Sequence, residues 1–149
     1  MKDQKYNILN EYEKNLMYCI DLLKDSTTTN IDINSLCKYL FKNLFIGVFS
    51  ADEMPQLKNG TMCIVNTDSS KKSGSHWIAC YKYRNKTYMY DTFNRNVKTL
   101  SPYWKHKHNI INANKNRDES FNAKTCGQQC ISWLIVAHKH KPNNIMNII

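Results

Sequence analysis

Residues 76–93 read HWIACYKYRNKTYMYDTF. Aromatic and β-branched side chains, which favour strands, fill this stretch on both sides of Arg84-Asn85. The composition predicts two strands, residues 76–83 and 86–93, joined as a β-hairpin by a short turn. We expect this hairpin to form part of the sheet on which the helices of the protein pack.

The register of the hairpin places one histidine beside one aspartate. With a two-residue turn, Ile78 lies opposite Asp91. His76 then lies on the same face as Asp91, one diagonal step away, whereas a three-residue turn would separate them. An imidazole next to a carboxylate is typical of the base and the orienting acid of a catalytic triad. The alternative interpretation is a surface histidine with an aspartate nearby.

The preceding part of the chain predicts two helices and one further strand. Residues 8–24 carry apolar side chains at steps of three and four, which is typical of an amphipathic helix. A second helix is predicted with Asp32 as its N-cap and Gly47 as its end, and residues 45–59 are predicted to be a loop. Residues 61–66 form a short apolar run that suits a buried strand.

The last predicted helix begins at Cys126-Gly127 and carries Cys130 on its apolar face. A thiol at the first turn of a helix lies near the positive end of the helix dipole, which lowers the pKa of the thiol. Gly127 allows a substrate to approach the backbone closely. Cys126 is therefore the candidate nucleophile, and a buried, inert thiol is the alternative.

The composition suits one compact domain that spans residues 1–149. Of these residues 42% are hydrophobic and 22% are charged, with a formal net charge of +9. The charge excludes an acidic disordered chain and favours a polyanionic partner. Because the chain has no long apolar run and starts without the apolar core of a signal peptide, we expect a soluble, intracellular protein that is not secreted and has no membrane partner.

A basic stretch with interleaved aromatic side chains runs from residue 92 to residue 117 and contains no acidic residue. Such a pattern is found in nucleic-acid-binding segments, although a solvated surface explains it equally well. The candidate nucleic-acid contacts are Arg95, Lys98, Lys105 and Lys107.

The six cysteines are expected to be reduced, and most of them to be small buried apolar groups. A zinc site is an alternative for part of this region, because the ligand types that zinc accepts are supplied by Cys126, Cys130, His138 and His140. All four fall in one predicted helix, where the rise of 1.5 Å per residue does not suit a zinc finger. We therefore predict no metal site.

Taken together, these motifs resemble the adenain family, the maturation proteases of adenoviruses with relatives in virophages and large DNA viruses. The resemblance covers roughly residues 33 to 137. It is carried by Phe45-Ile46-Gly47 with Pro55, by Cys63-Ile64-Val65-Asn66-Thr67, by Gly74-Ser75-His76-Trp77, by Tyr90-Asp91-Thr92-Phe93-Asn94 and by Cys126-Gly127-Gln128-Gln129-Cys130.

The resemblance implies an α+β fold of the adenain and SUMO-specific protease type, in which a mixed sheet packs against a central helix that carries the nucleophile. It implies that His76 is the general base, Asp91 its orienting acid and Cys126 the nucleophile of a cysteine endopeptidase. The expected substrates are viral capsid and core precursors, cleaved after small residues at Gly-Gly or Gly-X sites. The expected locations are the virion and the interior of the host cell, in the viral factory or the nucleus.

The positions for the oxyanion and the substrate are also taken from the resemblance. They are Trp77, Gly127, Glu119 and Asn122. The family has a glutamine several residues before the cysteine, and its amide donates to the oxyanion. An ungapped alignment puts Glu119 there, where a carboxylate would repel the negative charge. Either Asn122 or a glutamine from elsewhere is then the donor, or the alignment shifts within residues 118–125, or catalysis is weak.

The family is stimulated by DNA and by a viral peptide that bonds to a cysteine between the acid and the nucleophile. No cysteine lies between Cys80 and Cys126 here, so we expect no disulfide-tethered peptide and no required cofactor. Stimulation by double-stranded DNA or by a viral peptide remains an expectation. We also expect residues 1–30 to be a helical extension that covers the surface left bare by the short C-terminal part, and the protein to be a monomer.

Two other functions are compatible with the same motifs. A deconjugating protease for SUMO or ubiquitin-like proteins shares the order of the triad. A catalytically silent, basic nucleic-acid-binding domain is the second alternative, and Glu119 at the oxyanion position is the feature that favours it.

Overall fold

The computed structural model describes residues 2–24, 29–68, 76–93, 95–104, 109–113, 125–146 and 148–149. The helices are α1 (Lys2–Leu23), α2 (Asn30–Phe41), α3 (Val97–Leu100), α4 (Cys126–His140) and α5 (Pro142–Ile145). The strands are β1 (Phe45–Phe49), β2 (Met62–Asn66), β3 (Trp77–Tyr83), β4 (Lys86–Tyr90) and β5 (Ile110–Asn112). Short 3-10 turns cover Lys42–Leu44 and Ala51–Glu53. The fold class is therefore α+β, as predicted.

The five strands form one mixed sheet in the order β1-β2-β3-β4-β5. β3 runs antiparallel to both of its neighbours, whereas β1 pairs with β2, and β4 with β5, in parallel. Successive side chains of a strand point to opposite faces, and both faces of the central strands are buried here. A sheet covered on both sides can hold polar groups away from water at the ends of its strands.

The two faces of the sheet belong to two apolar clusters. Met62, Ile64, Tyr81 and Tyr90 contribute to the cluster shared with α1, α2 and α4. The alternate residues of the same strands face Val97, Trp104 and the segment around Ala51, where Trp104 Nε1 donates to the carbonyl of Ala51 at 3.0 Å. The helix that begins at Cys126 thus packs on one face of the sheet.

The hairpin has the predicted register. Arg84 and Asn85 both take positive φ angles, 51° and 65°, as the tight hairpin turn requires. Tyr83 pairs with Lys86, and the ladder runs to the pair Ala79 and Tyr90. One more step places Asp91 opposite Ile78. Both strands are shorter than predicted, since β3 begins at Trp77 and β4 ends at Tyr90.

The predicted boundaries of the second helix were wrong. Its N-cap is Thr29, whose Oγ1 accepts the backbone N–H of Asp32 at 3.2 Å, so Asp32 lies inside the first turn. The helix ends at Phe41, and Gly47 lies within β1, where the pairing with β2 is irregular and φ is 155°. The predicted loop at residues 45–59 therefore begins with a strand, because Gly47 accommodates a bulge and does not end the helix.

The first helix starts at Lys2, several residues before the predicted start at residue 8, and ends at Leu23. All six cysteines are free and buried in the structure, and burial was predicted for most of them. Within the described residues, no helix has the length and apolar content that a bilayer-spanning segment needs.

Candidate active site

Three chain segments meet where β3 begins, β4 ends and α4 begins. The backbone carbonyl of His76 accepts the N–H of Thr67 at 3.0 Å, which fixes His76 immediately before β3. Cys130 Sγ donates to the carbonyl of Trp77 at 3.3 Å, which ties the first turns of α4 to the start of β3. This arrangement brings His76, Asp91 and Cys126 together, although they are far apart in the chain.

Asp91 is a buried carboxylate, and both of its oxygens accept hydrogen bonds. Its side chain has no exposed area. Oδ1 accepts from His76 Nε2 at 2.5 Å and from the N–H of Phe93 at 3.1 Å, and Oδ2 accepts from Arg95 Nε at 2.8 Å. Burial alone would raise the pKa of Asp91, but the hydrogen bonds from His76 and Arg95 outweigh it and lower the pKa to about 2.

His76 lies between the carboxylate and the thiol and is only 5% exposed. Burial opposes a charged imidazole, yet the hydrogen bonds to Asp91 and Cys126 prevail and raise the pKa of His76 above its usual value. Since Asp91 is ionised, Nε2 must be the donor of that hydrogen bond. Nδ1 is then the nitrogen left to exchange a proton with Cys126.

The thiol of Cys126 is 6% exposed and lies at the first turn of α4. Burial opposes the thiolate, but hydrogen bonds from His76 and from the backbone N–H groups of Trp77 and Gly127 outweigh burial and lower the pKa of Cys126. The positive end of α4 acts in the same direction. Both the raised pKa of His76 and the lowered pKa of Cys126 favour a thiolate–imidazolium pair.

Apart from Arg95, the other predicted site residues divide into three groups. Trp77 and Gly127 lie in the site through their backbone N–H groups. Lys98 is exposed in α3 and makes no side-chain contact to the triad among the described interactions. Glu119, Asn122, Lys105 and Lys107 lie outside the described residues.

Arg95 contacts Asp91 in the candidate site, although the sequence predicts it to be a nucleic-acid contact. Its guanidinium bonds to Asp91 and lies 4.8 Å from the centre of the Phe93 ring. That ring stacks on the imidazole of His76 with a centroid distance of 4.6 Å. In the sequence, Phe93 is part of the motif Tyr90-Asp91-Thr92-Phe93-Asn94, but the motif gives it no role of its own at the site.

The four candidate zinc ligands do not come together. His138 Nδ1 is 3.4 Å from the hydroxyl of Tyr81, and His140 Nε2 is 2.6 Å from Glu11, both towards the C-terminal end of α4. Cys126 and Cys130 lie in its first turns. In the part of the chain that the structure describes, no three His, Cys, Asp or Glu side chains form a group that could hold a metal ion.

The lowered pKa of Asp91 predicts how its contribution to stability changes with pH. A carboxylate whose pKa is lower in the folded state stabilises the fold above its unfolded pKa of about 3.9, and this stabilisation is lost as pH falls through the folded value. We therefore expect Asp91→Asn to lower the free energy of unfolding by about 2 kcal/mol near pH 7, and by progressively less as pH falls from about 4 toward 2. Urea denaturation across this range measures it, and a difference that stays constant down to acid pH contradicts it.

Comparisons with protein-family models and with curated proteins find no match to this chain.

Proposed function

We propose that this protein is a cysteine endopeptidase with Cys126 as nucleophile, His76 as general base and acid, and Asp91 as orienting acid. The observation that carries the proposal is the position of His76, which bonds to Asp91 at 2.5 Å on one side and to Cys126 on the other. A nucleophile, a base in contact with it and a third group that orients the base are the parts that thiol catalysis needs.

The first half of the reaction forms an acyl-enzyme. His76 takes the proton of Cys126, and the thiolate sulfur attacks the scissile carbonyl carbon to form a C–S bond, which places the electron pair of the carbonyl on its oxygen. When the tetrahedral intermediate collapses, the C–N bond breaks and the imidazolium gives its proton to the leaving amine. Water, deprotonated by His76, then attacks the thioester, and the thiol is released with the new carboxylic acid.

The oxyanion needs donors aimed at the developing negative charge. The backbone N–H of Cys126 at the start of α4 is suited to this role by its place at the positive end of the helix. The N–H groups of Trp77 and Gly127 already point at the sulfur and add positive potential beside it. Asn122 is the proposed side-chain donor, since Glu119 would repel the oxyanion when it is ionised.

We further propose that the fold is of the adenain and SUMO-specific protease type. A mixed sheet with a cysteine-bearing helix on one face, and the order His, Asp, Cys along the chain, support this assignment. The proposed substrates are viral capsid and core precursors with small residues at the cleavage site, and the proposed places of action are the virion and the host cell interior. The motifs around residues 45–47 and 63–67 favour the viral branch over a deconjugating protease.

Double-stranded DNA is the proposed regulator. The net charge of +9 and the exposed Lys98, together with Lys105 and Lys107 in the same basic stretch, support it. Arg95 is removed from this set, because its guanidinium is held by Asp91. A silent nucleic-acid-binding domain is the less favoured function, since such a domain needs no cysteine with a lowered pKa.

The experiment that tests the proposal is cleavage of a peptide panel with Gly-Gly-X and Gly-X-Gly sites, with and without double-stranded DNA. We expect cleavage after the small residues and none in matched peptides with bulky residues there. A SUMO or ubiquitin-like precursor serves as the second substrate, and its preferential cleavage would favour the deconjugating alternative. No cleavage of any substrate, with or without DNA, would contradict the proposed function.

A further inference from the structure

One cation lies beside the triad and bonds to both oxygens of the buried acid. Arg95 donates to Asp91 Oδ2 from Nε at 2.8 Å and from its backbone N–H at 3.2 Å, and to Oδ1 from Nη2 at 3.4 Å. Its side chain is 40% exposed, whereas that of Asp91 is not exposed at all. The guanidinium therefore covers the side of the Asp91 carboxylate that is nearest to solvent, and His76 lies on its other side.

We propose that Arg95 is a positioning residue of the active site, which holds the Asp91 carboxylate so that Oδ1 stays aligned with His76 Nε2. This inference rests on the proposed peptidase function. In this role Arg95 is neither a member of the triad nor a nucleic-acid contact.

The geometry gives Arg95 control of the orientation of the carboxylate. Two donors of Arg95 engage Oδ2, so that rotation of the carboxylate breaks charge-assisted hydrogen bonds, which are among the strongest in proteins. Oδ1 accepts from His76 and from the N–H of Phe93, and Arg95 Nη2 reaches it at 3.4 Å. The guanidinium itself spans both oxygens, with Nε on Oδ2 and Nη2 on Oδ1, a planar two-donor geometry that a lysine ammonium does not have.

A second contact path leads from Arg95 to the imidazole. The guanidinium carbon lies 4.8 Å from the centre of the Phe93 ring, and that ring stacks on His76 at 4.6 Å with an angle of 26° between the planes. The loop after β4 therefore restrains His76 through the hydrogen bond to Asp91 and through the stacked ring. Loss of Arg95 loosens both restraints.

The charges around Asp91 indicate what removal of Arg95 does. Within the described part of the chain, the titratable and charged groups that face this carboxylate include His76 from the start of β3, Arg95 from its own loop and Cys130 from α4. Arg95 and the imidazolium are the positive groups among them. Without the guanidinium, the buried carboxylate loses part of the compensation for its charge, and its pKa rises.

The test compares Arg95→Met and Arg95→Lys with wild type, and it uses Lys86→Met as a matched loss of one cation at the opposite end of β4, where Lys86 is exposed. The readout is the proton resonance of His76 Nε2–H in protein labelled with ¹⁵N-histidine. In wild type we expect a downfield signal at neutral pH, because the proton is held in a short hydrogen bond to Asp91. In Arg95→Met we expect the signal to be broadened or lost, and in Lys86→Met to be unchanged.

Kinetics on a cleavable peptide add a second readout. We expect Arg95→Met to lower kcat by up to roughly 100-fold with little change in KM, because a misaligned base affects the chemical step and not binding. Arg95→Lys keeps the positive charge but lacks the two planar donors of the guanidinium. Its kcat is expected to lie between those of Arg95→Met and wild type. It is also the variant to measure if Arg95→Met does not fold.

A resonance in folded Arg95→Met or Arg95→Lys with the wild-type position and the wild-type pH dependence would overturn the inference, as would an equal change in Lys86→Met. The resonance needs no substrate. A protein that cleaves nothing but loses the signal in Arg95→Met would therefore contradict the proposed function and leave the positioning role intact.

Discussion

Cys126→Ala is expected to abolish peptide cleavage, with a loss of roughly 10⁴-fold or more in kcat. The thiol of Cys126 has a lowered pKa and contacts a base, His76. In the proposed reaction, alanine removes the atom that forms the acyl-enzyme, and the remaining groups can only bind and polarise the substrate. Cleavage of the Gly-Gly-X panel under saturating substrate measures the effect.

Cys19→Ala is the matched control for this prediction. Cys19 is also buried, but it lies in α1, where burial raises the pKa of its thiol to about 12. It has no partner base that would activate it among the described contacts. Cys19→Ala is expected to retain most of the activity, and a loss as large as that of Cys126→Ala would show that cleavage does not depend on the assigned nucleophile.

Deletion of residues 1–24 is expected to cost the protein most of its stability. This segment contains α1, whose Ile8, Tyr12 and Cys19 are buried against the helical side of the core. Burial of a large apolar side chain contributes about 1.5–3 kcal/mol, so the segment supplies a sum comparable with the 5–15 kcal/mol that stabilises a typical domain. The deletion ends before Thr29 and so preserves the cap of α2.

Polar contacts add to this packing and reach the candidate site. Ser132 Oγ donates to the carbonyl of Tyr12 at 2.5 Å, and Gln128 Nε2 donates to the carbonyl of Lys24 at 2.8 Å, two residues from Cys126. The hydroxyl of Tyr12 is 3.3 Å from that of Tyr90, the residue before Asp91. Without α1, buried polar groups of α4 and β4 lose these partners, and such losses are costly.

Thermal unfolding of the truncated protein measures the prediction, which is aggregation or a fall in Tm of about 10 °C or more. Two point variants in α1 serve as matched controls. Tyr12→Ala removes a 4% exposed side chain and is expected to lower Tm strongly, whereas Met17→Ala removes a 60% exposed one and is expected to have little effect. A truncated protein that unfolds at the wild-type Tm would show that α1 is not part of the core.

The parts of the fold that were predicted correctly have a strong local cause. The hairpin has one turn of two residues that both accept positive φ, and this turn alone determines which residues of β3 and β4 face each other. The missed elements lack such a signal. β1 contains Gly47, which also suits the end of a helix, and β5 has only three residues and depends on its pairing with β4.

The candidate site, too, was predicted correctly in one part and missed in another. The contact between His76 and Asp91 was predicted because strand register is a matter of counting. The place of Arg95 was not, because it depends on how the chain turns after β4, and a loop has no period that a sequence could reveal. In the sequence, Arg95 cannot be told from the other cations of the basic stretch. Its contact with the buried carboxylate of Asp91 distinguishes it, and that contact is visible only in the structure.

The pairing of Cys126 with His76 is tested by the pH dependence of alkylation of Cys126 by iodoacetamide, followed residue by residue with mass spectrometry in wild type and in His76→Ala. We predict that Cys126 reacts fastest of the six cysteines at neutral pH, with a midpoint below the usual thiol pKa of about 8.5. In His76→Ala the midpoint moves upward and the rate at neutral pH falls. A midpoint at or above the usual value in wild type, or equal labelling of Cys126 and the buried Cys130, would contradict the claim that Cys126 and His76 form a catalytic pair.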